Sequence, residues 1–470
     1  MSLPWDVNWP IGPYGTSMGL LLALTVPLHL YWTRKDPMFR VAPSELIHEI
    51  RAKGYYWHIS LYLAMFIFKA FTDHHNEPLK ALVGGFTHVV HSLEGDLVFV
   101  LQDTFRSDLL SEALSLHYLF AYLFIIWYPP IHYILSRDHD LADLAAMNYF
   151  VIYLLAVPLY LFFNVEVTSS YVVGVDALMY HDGWNIDFFT SNDPLDNGVP
   201  SLHIGLPVSL LLIHRAYVRQ QGVGISDWRH RGLDLFIIAN VAIYSFSILY
   251  LGIHWLTDIV PGLILAIFCS RFCMYIQPLL RERGVRGAWG AINGNLRPIL
   301  SSIAIGAILL VGAVDGPGTH PSNPDFRMEG DDVRLETLEV HSLTEPAIVS
   351  IENLGEVAVQ ALLVGIGDVE PHASRGVIDF DSVAPQGELV MLQPGSTWLY
   401  EYTPDSITER KVILFRSAVL EGPVAEVSVV NQYPDEDLLL VSGFLISMLS
   451  FIIIGVSVKR QSMDDTSTTT

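Results

Sequence analysis

Two short segments carry residue types able to do chemistry: Val199-Pro200-Ser201-Leu202-His203 and Gly252-Ile253-His254-Trp255-Leu256-Thr257-Asp258. Each stands where a long apolar run meets a loop. A histidine in each, with a carboxylate four residues after the second, is the minimum set for moving a phosphoryl group through a covalent histidine. Asp258 falls one helical turn beyond His254 and so on the same helical face. From there it can accept a hydrogen bond from one ring nitrogen and leave the other as a lone-pair donor. On that reading His254 is the nucleophile and Asp258 orients it. His203 is the general acid that protonates the departing oxygen, then the base that activates the acceptor. Gly198 and Pro200 fit a tight turn into a helix start, whose N–H groups favour an anion. Taken singly, an interfacial histidine or an i,i+4 His–Asp pair is more often structural than catalytic. The conjunction at two helix–loop junctions is what points to chemistry.

Whether the three residues meet depends on the elements that carry them. A chain of 470 residues, 51% hydrophobic with mean hydropathy +0.39, reads as an integral membrane protein. Apolar stretches near the spanning length of about 20 residues recur at 15–32, 55–72, 115–135, 142–164, 201–218, 233–252, 255–274, 298–315 and 437–458. Those at 55–72 and 201–218 are short and carry polar residues. No cleavable signal peptide is expected, because no basic residue precedes the first run.

Lys and Arg stay on the cytoplasmic side of a membrane and so orient the chain. They follow the first span (Arg34, Lys35, Arg40, Arg51, Lys53), the third (Arg137), the fifth (Arg215, Arg219, Arg229, Arg231), the seventh (Arg271, Arg281, Arg283, Arg286, Arg297) and the last (Lys459, Arg460). The first fifteen residues and the 165–200 loop contain none. The expected protein is multi-pass in the cell membrane, with its N-terminus outside and its C-terminal tail in the cytoplasm. His203 then starts a span running inward and His254 follows the span that returns. Their separation of 51 residues collapses to one helix down and one back, with both imidazoles near the outer surface.

Residues 317–436 have no run of spanning length. Stretches 347–351, 357–364, 412–415 and 424–430 read as strands between Gly, Pro, Asn and Asp turns, the pattern of a small extracytoplasmic β-sandwich. This part holds 21 acidic and 6 basic residues, or −15 of the chain's −23. That excess suits a surface adapted to high salt or one that repels anions, and no nucleic-acid partner is expected. Cys269 and Cys273 are the only cysteines and read as small apolar filler.

Asn197 to His203 resembles the Pro-Ser-x-His motif of the type 2 phosphatidic acid phosphatase superfamily. Ser247 through Asp258 looks like that superfamily's third motif, with Ser247, His254 and Asp258 matching. The Pro-Ser-Leu-His form, with His254, Trp255 and Asp258 followed by Gly262, is similar to the branch that contains inositol phosphorylceramide synthase. The resemblance covers about 142–277. Two departures stand out. Ile248 replaces the arginine after the motif serine, and the first motif's lysine and arginine have no counterpart in 165–200. The resemblance implies that those cations hold phosphate oxygens, so substitutes are expected. Lys69, Lys80 and Arg106, in or beside an outer segment 73–114, are the candidates, with Ser201, Ser247 and Asn197 as further substrate-binding residues. The 73–114 segment reads as one or two amphipathic helices that cap the site or merely pack on neighbouring spans. The acids of the 165–200 loop read as solvated turns rather than a cation site.

The expected organisation is an all-α polytopic membrane protein of about nine transmembrane helices with one extracytoplasmic β-sandwich-like domain before the last helix. Its parts are N-terminal helices (1–141), a phosphatase-like catalytic core (142–277), a cytoplasmic loop and eighth span (278–316), the acidic β-domain (317–436), and the last span and tail (437–470). Three functions fit: a lipid phosphatase, a phospho-head-group transferase, or a silent member whose β-domain binds a protein or surface glycan. The substrate would be a lipid phosphate, with no metal or other cofactor required.

Overall fold

The computed structural model describes residues 13–293 apart from 43, 82–86, 96, 164, 173 and 180–194, the isolated residue 304, and residues 319–434 apart from 323–324, 329–331, 339–345, 375–376, 404–410 and 420–424. The stretches expected to span at 298–315 and 437–458, the first residues and the C-terminal tail lie outside the described residues.

The helical part comprises α1 (Pro13–Trp32), α2 (Leu46–Lys53), α3 (Tyr56–Ala81), α4 (Thr87–Glu94), α5 (Leu97–Phe105), α6 (Asp108–Leu135), α7 (His139–Phe162), the single turn α8 (Thr168–Tyr171), α9 (Leu202–Gln221), α10 (Arg231–Tyr250) and α11 (Leu256–Asn293), the last broken at Gly284. Among the described residues four helices are long and apolar enough to cross a membrane: Asp108–Leu135, His139–Leu161, Arg231–Tyr250 and Leu256–Glu282. The stretches at 55–72 and 201–218 are helical too. Lys69, Asp73, Glu77 and Lys80 in α3, and Arg215 and Arg219 in α9, keep both short of that standard.

The 73–114 segment, expected to hold one or two helices, carries two among its described residues, with the end of α3 and the start of α6 on either side. Among the described residues α4 and α5 are the separate helices within it. No glycine interrupts the chain between 55 and 83, so α3 continues past its apolar run to Ala81. α6 starts early, at Asp108, after an extended Ser107; an acid in the first turn suits the positive end of the helix dipole. Nor is α5 a bare surface helix. Its buried Gln102 donates to the carbonyls of Asp176 (2.8 Å) and Tyr250 (3.0 Å) and accepts from the Asp176 amide (3.0 Å).

α9 runs through the middle of the bundle, against α7, α10 and α11. It is capped at its end by Gly222 in the left-handed region (φ 68°), whose amide bonds back into the last turn. α9 and α11 touch backbone to backbone. A Cβ on Gly262 would lie 2.6 Å from the Ser201 carbonyl, and one on Gly205 would lie 3.0 Å from the Gly262 carbonyl. Small residues allow such approach in bundles whose apolar exterior supplies little force of its own. Cys269 and Cys273 are buried in the same packing.

At the far ends of α9 and α10 lies a buried polar network. Asp138, the N-cap of α7, accepts from Tyr217 Oη (2.8 Å), Arg229 (2.5 Å) and His230 (3.2 Å). His230 bonds His132 (3.0 Å), which meets His29 (3.2 Å) and Tyr128 (3.1 Å). Beside it, Asp234 takes both arms of Arg215 (2.6 and 2.9 Å) and His214 Nδ1 (2.9 Å), whose other nitrogen meets Tyr133.

The β region is two antiparallel sheets. One has the order β1 (Thr319–Ser322), β11 (Ala425–Pro434), β4 (Ala347–Asn353), β9 (Thr397–Tyr402), with β2 (Asp325–Met328) also on β11. The other runs β3 (Val333–Leu338), β10 (Lys411–Ser417), β5 (Val359–Gly365), β8 (Glu388–Leu392). A two-strand pair, β6 (Ala373–Ser374) and β7 (Val377–Ile378), stands apart. Val349, Ile351, Val427 and Val429 of the first sheet pack with Ala361, Leu363, Ile413 and Phe415 of the second. On the second sheet's other face, Leu362, Val364, Val412 and Leu414 are covered by Val369, Phe380 and Val383. Burial on both faces explains why 412–415 is a continuous apolar run instead of an alternating one.

Candidate active site

The turn between α10 and α11 sets the first histidine. Gly252 closes α10 at φ 76°, and the amides of Ile253 (3.1 Å) and His254 (3.0 Å) both bond back to the Ile248 carbonyl. A side chain at 252 would stand 3.0 Å from Ser169 Cβ and 3.2 Å from the Asp176 carbonyl, while the Ser169 amide donates to the Gly252 carbonyl (2.9 Å). Only a glycine meets both the left-handed backbone and the close approach. The turn thus delivers His254 to the start of α11 in one orientation.

His254 Nδ1 lies 2.9 Å from the Gly198 carbonyl and 3.2 Å from Asp258 Oδ2. Both neighbours are acceptors, so Nδ1 carries the hydrogen and Nε2 keeps the lone pair. Asp258 is fully buried, and its Oδ2 also accepts from the Trp255 amide (2.8 Å). The Ser201 amide reaches the Asp258 main-chain carbonyl (3.3 Å), tying the start of α9 to the start of α11. His203, in the first turn of α9, comes within 5.7 Å of His254, ring centre to ring centre, at 61°. The structure brings together the three residues that the sequence holds 51 and four positions apart.

His203 stands on an aromatic wall. The Tyr118 ring stacks on it at 4.0 Å and 24°, with its hydroxyl 3.1 Å from His203 Nδ1. Tyr122, one helical turn further along α6, lies 4.1 Å from the same ring, and Tyr244 lies 5.5 Å away. Tyr160 donates to the Pro200 carbonyl (2.9 Å). Glu94 Oε2, from α4, accepts from the Thr257 amide (3.0 Å) and hydroxyl (3.3 Å) at the start of α11. Trp255 Nε1 donates to the Glu166 carbonyl (2.8 Å). Of these residues only Trp255 belongs to a motif seen in the sequence; Tyr118, Tyr122, Tyr160, Tyr244 and Glu94 do not.

The expected substrate-binding residues separate. Ser201 and Ser247 are fully buried with hydroxyls that find no hydrogen-bond partner among the described residues, and the same holds for Thr168 Oγ1, Ser169 Oγ and Asp258 Oδ1. Asn197 is half-buried and forms a parallel bridge with Val165. Arg106 is ion-paired with Asp176 at 2.5 Å, both partly exposed. Lys69 is half-buried on α3, the helix that packs along α7, and the Lys80 side chain lies outside the described residues. Among the described residues no group of three or more His, Cys, Asp or Glu side chains is arranged to hold a metal ion.

Residues 176–282 match the family model of the PAP2 superfamily. No curated protein and no solved structure matches the chain. The PAP2 match supports phosphatase or phosphotransferase chemistry on phosphate esters. It contains Asn197, Ser201, His203, Ser247, His254 and Asp258, and it leaves out Tyr118, Tyr122 and Glu94. The PAP2-like stretch is therefore walled by helices that the family model does not include.

Proposed function

We propose that the protein is a membrane lipid phosphatase or phospho-head-group transferase that works through a phosphohistidine. The observation that carries this reading is the environment of His254: two acceptors on Nδ1 leave Nε2 as a lone-pair nitrogen, with a second imidazole 5.7 Å away. In the first step His254 Nε2 bonds to phosphorus, the bond from phosphorus to the lipid oxygen breaks, and His203 gives that oxygen a proton. In the second step water or a hydroxyl attacks phosphorus, its proton goes to His203, and the bond from phosphorus to nitrogen breaks. Asp258 holds the Nδ1 hydrogen and stabilises the charge that develops on the ring. The unpaired hydroxyls of Ser201 and Ser247 are suited to donate to the phosphoryl oxygens.

Transfer of a head group is favoured over hydrolysis of a monoester. The 165–200 loop has no Lys or Arg, and a monoester dianion calls for more positive charge than a diester does. This agrees with the inositol phosphorylceramide synthase-like form of the motifs. The site faces the extracytoplasmic side with the N-terminus and residues 317–436, the C-terminal tail is cytoplasmic, and α4 and α5 admit the lipid laterally. The test is an assay of purified protein in detergent or vesicles against lipid phosphates and phosphodiesters, with and without hydroxyl acceptors. Acceptor-dependent exchange is the expected result. Phosphate release without an acceptor would make it a phosphatase, and no turnover on any substrate would sink the enzymatic reading.

A further inference from the structure

The two histidines are held differently. His254 leans on a carboxylate and a carbonyl, whereas the hydroxyl 3.1 Å from His203 Nδ1 belongs to Tyr118. Tyr118 is fully buried, and its ring covers one face of the imidazole at 4.0 Å. Its main-chain carbonyl accepts from Tyr244 Oη (3.3 Å), which ties the third aromatic neighbour of His203 to the same turn of α6. We infer that Tyr118 is the positioning residue of the acid–base histidine: its hydroxyl oxygen accepts the Nδ1 hydrogen of His203, so that Nε2 is the nitrogen that gives and takes the proton. This rests on the reading of His203 as the general acid and goes beyond it, because α6 lies outside the stretch that matches the PAP2 superfamily.

The proton inventory closes. As imidazolium, His203 donates Nδ1–H to Tyr118 and Nε2–H to the departing oxygen. After the first step it is neutral, with Nδ1–H still on Tyr118 and a lone pair on Nε2 for the incoming hydroxyl. The phenol keeps its own hydrogen throughout. A phenol oxygen orients the ring without the full negative charge that would hold its proton back. A carboxylate in the same place would make His203 a better base and a poorer proton donor. The nucleophile thus has the anionic partner and the acid has the neutral one.

The experiment compares wild type, Tyr118→Phe, His203→Ala and the double variant on aryl and alkyl phosphates of graded leaving-group basicity. Phenylalanine keeps the stack and removes only the hydroxyl. Tyr118→Phe is expected to slow alkyl substrates roughly tenfold, about one charged hydrogen bond's worth, and nitrophenyl phosphate much less, with the double variant no slower than His203→Ala. Equal loss on both substrate types, or additive loss in the double variant, would overturn the role of Tyr118. Equal loss in His203→Ala would instead remove the acid reading itself. A readout independent of turnover is the ¹⁵N spectrum of the His203 ring, assigned by its disappearance in His203→Gln. It should show one tautomer in wild type and a shifted balance in Tyr118→Phe; an unchanged spectrum would overturn the proposal.

Discussion

The two ends of α9 and α10 use the same side-chain types to opposite purpose. At one end, buried Asp138, Asp234, His132, His214 and His230 meet the partly exposed Arg229 and Arg215 and buried tyrosines, and every one of these named side chains has a partner. At the other, His203, His254 and Asp258 are equally buried, yet Asp258 Oδ1 and the hydroxyls of Ser201, Ser247, Thr168 and Ser169 have no partner among the described residues. Leaving a buried polar atom unmade costs about 1–3 kcal/mol, so the second end carries more of that expense than the first, where Ser136 Oγ also lacks a partner among the described residues. Such an expense is tolerated where a ligand completes the bonds. Histidine and aspartate clusters alone do not distinguish a latch from a site. The number of unmet hydrogen bonds is what differs between the two ends among the described residues.

The largest contrast should come from replacing one histidine at the unpaired end. His254→Ala is expected to abolish turnover and any acid-labile phosphoenzyme while leaving thermal stability in detergent close to wild type. Full activity in that variant would remove the nucleophile, and a collapsed fold would make His254 a structural residue like His230.

The mirror experiment is Asp138→Ala. Removing the acceptor strands Arg229 and unmakes the bonds of Tyr217 and His230, and breaking a buried pair of this kind costs about 3–5 kcal/mol. Arg229 retains some exposure, so the lower figure is expected. The melting temperature should fall steeply while the rate per folded molecule stays the same. A variant that melts normally but turns over slowly would contradict the division between the two ends.

Gly262→Ala joins both ends of the argument. Its Cβ would meet the Ser201 carbonyl at 2.6 Å, so α9 and α11 must part. Overpacking of this order costs about 1–3 kcal/mol, and here it also moves His203 away from Asp258. Turnover should fall with modest destabilisation, and Gly222→Ala, with open space around its Cβ but a strained left-handed backbone, should cost some stability while leaving turnover per folded molecule unchanged. Normal turnover in Gly262→Ala would show that the contact does not set the spacing of the site.

Much of the candidate site was legible in the chain because it rests on residues of unusual type at fixed spacing. His203, His254 and Asp258 sit at apolar-run boundaries, and two such runs bring them together. The tyrosines escaped notice because 21 tyrosines are spread through the protein and an aromatic on an apolar helix ordinarily means packing. Glu94 was hidden because its partner, the start of α11, lies 163 residues away. In the β region, β4, β5, β10 and β11 were readable from their apolar runs. β8 and β9, whose outward residues Leu389, Met391 and Leu399 are apolar and exposed, lack the clean alternation that marks a half-buried strand. Of the nine apolar stretches, the seven that fall among the described residues all lie on helices, and four of those helices are long and apolar enough to cross a membrane.

The smallest effect concerns pH and belongs to the latch. His230 stands just before α10, and burial pushes its pKa down to about 4 from 6.5, against the pull of Asp138. In Asp138 burial acts to raise the pKa, but the bonds and charges of His230 and Arg229 outweigh it and hold the carboxyl below the usual range. A histidine whose folded pKa is depressed binds its proton more readily when unfolded, so it contributes stability above 6.5 that is lost as pH falls from 6.5 towards 4. The Asp138 contribution is lost only at still lower pH, because its shift begins from the ordinary carboxylate range. Melting in detergent should therefore drop between pH 7 and 5, and His230→Gln, which keeps a hydrogen-bonding side chain that does not titrate, should flatten that drop without changing the phosphoenzyme yield. A pH slope unchanged in His230→Gln would place the acid sensitivity elsewhere, and a changed phosphoenzyme yield would mean that the latch and the site are coupled along α9 and α10.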